Sequence, residues 1–81
     1  MASRHLPAKH YFQIYRTKLA MAEDGTTQPS AEFVGFMRRF VDTLATLDPE
    51  TPVRLEALPG KARFTDATTG MLIGEVELSL V

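Results

Sequence analysis

An 81-residue chain with 44% hydrophobic and 23% charged residues holds a single core, burying roughly 60% of the surface its unfolded form exposes, and lies outside the composition of disordered proteins. The absence of cysteine excludes disulfides, thiolate metal ligands, cysteine nucleophiles and iron–sulfur clusters, and a net charge of −1 supplies no global field for nucleic acid or an anionic membrane. No apolar run approaches the ~20 residues of a bilayer span, and Lys9, His10, Gln13 and Arg16 stand where a leader would be apolar, so a cytoplasmic location is expected.

Residues 1–7 are expected to be a flexible lead-in to one domain. The next segment reads two ways. The β-favouring run Tyr11-Phe12-Gln13-Ile14-Tyr15-Arg16-Thr17 and the Asp24-Gly25 turn predict a strand over His10–Ala20. Pro7, the spacing of Tyr11, Tyr15 and Leu19, and the helix formers of Lys18–Glu23 support a helix instead. The strand is preferred because Tyr-Phe-Gln-Ile-Tyr is poor helix material. As a strand it carries surplus apolar surface, with Phe12 and Ile14 on one face and Tyr11, Tyr15, Leu19 and Met21 on the other.

Ser30 is a good N-cap, Glu32 suits the positive end of a helix dipole, and Pro49 ends a helix. Between them Phe33, Met37, Phe40, Leu44 and Leu47 recur at helical steps, so an amphipathic helix is predicted over Ala31–Leu47. Pro52–Leu58 and Lys61–Thr65 alternate about the Pro59-Gly60 turn as a hairpin. Asp66–Gly70 makes a second turn into a long strand, Met71–Val81, with Leu72, Gly74, Val76, Leu78 and Leu80 on its core face. The predicted class is α+β, order β-α-β-β-β: a four-stranded, mostly antiparallel sheet with one amphipathic helix packed on one face.

Little in this pattern carries chemistry. His5 and His10 lack the spacing and third ligand of a metal site, and no acid within the first twenty residues orients either as a base; Asp66 or Glu75 would have to do so from a distance. Ser30 is explained as a cap, Ser79 as a wet-face residue and Ser3 as terminal, while Glu75 and Glu77 read as a solvated strand face. The glycines form no phosphate-binding loop. No enzyme activity, metal or cofactor is expected.

Two binding readings remain. Arg4, Lys9, His10, Arg16 and Lys18, interleaved with Tyr11, Phe12 and Tyr15, mix phosphate-contacting and base-stacking groups. Against a ribonuclease-toxin reading, the wet sheet face shows Arg54, Glu56, Glu75 and Glu77 rather than a basic or histidine-bearing site. The preferred expectation is a non-enzymatic protein-interaction or regulatory module, its partner another protein or a second copy, with Tyr11, Tyr15, Arg16, Lys18, Arg38 and Arg39 as contact residues. In size and element order the chain resembles small βαβββ proteins of phages and bacteria that act by occluding another protein, including some inhibitors of CRISPR systems; no motif is shared.

Overall fold

The computed structural model describes residues 3–80. In chain order the elements are β1 (Ser3–Pro7), α1 (Ala8–Glu23), α2 (Ala31–Ala45), β2 (Pro52–Leu58), β3 (Lys61–Asp66) and β4 (Leu72–Glu77), closed by a 3-10 turn at Leu78–Leu80. The strands form one antiparallel sheet in the order β1-β2-β3-β4, so β1 and β4 are its edges. The expected four-stranded antiparallel sheet is present, but two helices cover it rather than one.

The largest correction concerns the N-terminal segment. His10–Ala20 lies within α1, and the edge strand is built from the residues expected as a flexible lead-in, of which 1 and 2 lie outside the described residues. Local β propensity loses here to tertiary packing. Ala8, Tyr11, Phe12, Tyr15, Leu19 and Ala22 fall on one helical stripe, and all are buried in or packed against the core. The apolar surplus of the strand reading is that stripe. Pro7 sits at the N-cap and offers no side-chain cap, so the first helical amides find their acceptors in the α2–β2 loop: Ala8 N donates to Thr51 O at 2.8 Å and Lys9 N to Pro49 O at 3.0 Å.

α2 follows its sequence signals more closely. The Ser30 hydroxyl accepts from Phe33 N at 3.2 Å, and Glu32 occupies the first turn. The helix ends at Ala45, ahead of Leu47, in a tightened turn in which Thr46 N donates to Thr43 O. Its buried face brings Phe33, Phe36 and Phe40 into a stack, continued by Phe64 of β3 at 4.5 Å from Phe40 and crossed edge-on by Tyr15 at 5.0 Å. With Phe40 and Phe64 fully buried, each contributes about 1.5–3 kcal/mol of transfer free energy.

The C-terminal strand departs from simple alternation. Phe64 opposes Gly74 while Thr65 opposes Leu72, so Ile73 is an inserted residue in β4. A one-residue insertion reverses side-chain facing, which sends Leu72 outward at 57% exposure while Ile73 packs against the core. The strand stops at Glu77, and Leu78, also expected inside, is 50% exposed. Val81 and the side chain of Leu80 lie outside the described residues. Gly74 has a steric reason: a Cβ there would lie 3.1 Å from Phe40 Cδ1 and 3.3 Å from Phe36 Cε1.

Candidate interaction surface

Alternation in β2, β3 and β4 that buries Val53, Phe64 and Val76 under the helices puts charged residues on the other face, which no described element covers. There Arg63 Nε donates to Glu75 Oε2 at 2.8 Å, Lys61 Nζ reaches Glu75 Oε1 at 3.4 Å, Arg54 Nε donates to His5 Nε2 at 3.2 Å, and Arg54 lies 3.7 Å from Glu56. The Arg63 hydrogen bond, with Lys61 adding to it, holds the Glu75 carboxyl below the ordinary glutamate range. These charges answer one another across the strands, and among the described residues no Phe or Tyr ring lies among them for a base to stack on.

The edges of the sheet differ. β1 ends in Pro7, which has no amide hydrogen to donate, and runs directly into α1. β4 contains no proline and has a neighbour on one side only. Met71, Leu72 and Leu78, at its two ends, are 61%, 57% and 50% exposed. Between β4 and α2 runs a groove of about 510 Å³ lined by Ala31, Glu32, Gly35, Phe36, Arg39 and Val76, with Glu75 and Glu77 along the strand side. Gly35 leaves it open at the centre, where the closest atom to a notional Cβ is Arg39 Nη1 at 3.4 Å. Among the described residues Glu32 and Glu77 form no ion pair.

The six expected contact residues do not share a surface. Tyr11 is buried and Tyr15 is packed among Phe36, Phe40 and Phe64; burial first, and then Tyr11 beside it, raises the Tyr15 phenol above its ordinary pKa. Tyr11 offers no free surface and Tyr15 is only partly exposed, because both belong to the core-facing stripe of α1. Arg16 lies 5.9 Å over the Phe12 ring beside Lys9, Gln13 and Thr17. Lys18 borders a separate groove of about 430 Å³ with Met21, Pro29 and Phe33. Arg38 pairs with Glu23 at 3.3 Å, and only Arg39 reaches the β4 groove. The Arg4 side chain lies outside the described residues.

Of the groups considered for chemistry, His10 is exposed on α1 with its ring edge-on to Tyr11, and Asp66 is committed to its turn, accepting from Thr68 N at 2.7 Å and Thr69 N at 3.3 Å. Among the described residues no three His, Cys, Asp or Glu side chains cluster as metal ligands, and no helix is long and apolar enough to cross a membrane. The residues missed by sequence reasoning are Gly35, Leu72 and Leu78. An isolated glycine inside a strongly periodic helix was the available signal for the groove. No protein-family model matches the chain, nor does any curated protein or solved structure.

Proposed function

We propose that this chain is a non-enzymatic protein-interaction module that docks a partner on the free edge of β4 and the adjoining groove of α2. The observation that carries the reading is the asymmetry of the sheet: among the described residues β4 alone combines an unpaired edge, apolar side chains exposed at both ends and a groove opened by a glycine. An extended segment added there would pair with the free backbone groups of β4 and set alternate side chains over Val76 and beside Gly35. On the charged open face Arg54, Glu56, Lys61, Arg63 and Glu75 are paired among themselves, which leaves Glu77 at the β4 edge without an ion pair among the described residues.

Selection of ligands from a displayed random-peptide library on the folded protein tests this. Enriched ligands are expected to lose binding to Gly35→Leu, which fills the groove, and to be indifferent to Arg16→Ala and Lys18→Ala. Ligands unaffected by Gly35→Leu would contradict the proposal.

A second reading, nucleic-acid binding, is favoured by one observation: Lys9 and Arg16 flank Phe12 on the outer side of α1. It predicts retention on an oligonucleotide column at low salt that falls steeply with added salt and with Arg16→Ala. The likeness to phage inhibitors loses its footing in element order, which is β-α-α-β-β-β.

A further inference from the structure

Resting on the interaction reading, we infer that the segment received by β4 is basic: an extended stretch of another protein in which lysine or arginine alternates with small or apolar residues. Directly opposed side chains on neighbouring antiparallel strands stand about 4.5–5.5 Å apart, so residues of an added strand on the open face of the sheet would meet Glu75 and Glu77 first. Lys61 and Arg63 lie one strand further away and already hold both oxygens of Glu75, which leaves Glu77 as the carboxylate of β4 without an ion pair among the described residues. On the helix side, the groove presents Glu32, without an ion pair among the described residues, and Arg39. Of the charges without an ion pair among the described residues, two carboxylates, Glu32 and Glu77, against one guanidinium, Arg39, thus border the track an added strand would follow. Alternate residues of that strand face Val76, Phe36 and the space above Gly35, which admits small or apolar side chains.

The same charges disfavour a second copy. In antiparallel self-pairing of β4, the register that sets Leu72 against Leu78 puts Glu75 opposite Glu75, and the next puts Glu75 opposite Glu77. The inserted Ile73 stands in the pairing both in the first register, opposite Glu77, and in the one shifted the other way, opposite Glu75.

Two capped peptides test the inference, one alternating valine and lysine over seven residues and the other with glutamate replacing lysine, titrated against the intact protein by fluorescence anisotropy. At 50 mM salt the lysine peptide is expected to bind at least tenfold more tightly, with the preference shrinking at 500 mM. Glu77→Lys should narrow the preference, and Gly35→Leu should abolish binding while leaving the thermal midpoint no lower than that of the parent. Equal binding of both peptides, still lost in Gly35→Leu, overturns the charge selection and leaves β4 docking standing. Failure of both peptides together with a library that yields no Gly35-dependent ligand overturns both. A salt-insensitive mass near twice 9.0 kDa that reverts in Gly35→Leu places a second copy on this edge and overturns the choice of partner.

Discussion

The two faces of the sheet are made by the same strands and held by different physics. On the covered face, rings from α1, α2 and β3 interlock, and the backbone of β4 at Gly74 approaches so closely that a Cβ would press on Phe36 and Phe40. On the open face, Arg63, Lys61, Glu75, Arg54, Glu56 and His5 make contacts that water could replace. Close packing is intolerant of a single atom's change, whereas exposed ion pairs contribute little each. A surface function belongs where substitution does not unfold the chain, which points away from the covered face.

The sharpest way to break this contrast is Phe40→Ala, expected to lower stability by about 3–5 kcal/mol in urea denaturation, since the ring is buried and touches both helices' aromatic groups. A loss below about 1 kcal/mol would mean the covered face is loosely packed. Gly74→Ala adds one methyl against Phe36 and Phe40 and should cost about 1–3 kcal/mol. Gly35→Leu goes the other way: replacing a helical glycine with a strong helix former, where the flexible Arg39 guanidinium is the one atom group within 4 Å of the new Cβ, should add up to about 1 kcal/mol. On the open face Arg63→Ala should stay within about 1 kcal/mol of the parent despite breaking the 2.8 Å contact with Glu75.

Titration addresses the faces from opposite ends of the pH scale. Burial raises Tyr15 above its ordinary 10.0, so the native state keeps a proton that the unfolded chain releases, and stability falls as pH rises beyond that value. Arg63 lowers Glu75, so its contribution is present above the unfolded glutamate pKa and disappears as pH falls through the folded one. Because Glu75 is solvent-exposed, the acid-side change is the smaller. Denaturation midpoints followed in Tyr15→Phe and Glu75→Gln should show a weakened alkaline and a weakened acid dependence respectively, the acid remainder including Asp24, whose carboxyl its hydrogen bonds from Thr26 also hold low.

Where a single local pattern decided structure, it was legible in the sequence. Ser30, Glu32 and the spacing from Phe33 to Leu44 specify α2, and Pro59-Gly60 and Asp66–Gly70 mark the two turns. Gly60 and Gly70 have φ of 76° and 78°, the positive values those turns require. The sequence misled where two periods coexisted. Tyr11, Tyr15 and Leu19 carried the helical period beneath a run of β-favouring types, and the choice was settled by contact with Phe36, Phe40 and Phe64, distant in the chain. The inserted residue at Ile73 is a property of pairing between strands, invisible to alternation along one of them, and it hid the exposure of Leu72. The β4 groove depends on α2 and β4 lying side by side, and only Gly35 hinted at it.

Amide hydrogen exchange read by NMR, with and without a library-selected peptide, tests the central claim most directly. The account predicts that amides across Leu72–Glu77 gain protection on binding while those of β1 and the outer side of α1 around Arg16 and Lys18 do not change; protection confined to α1, with β4 unaltered, would contradict it.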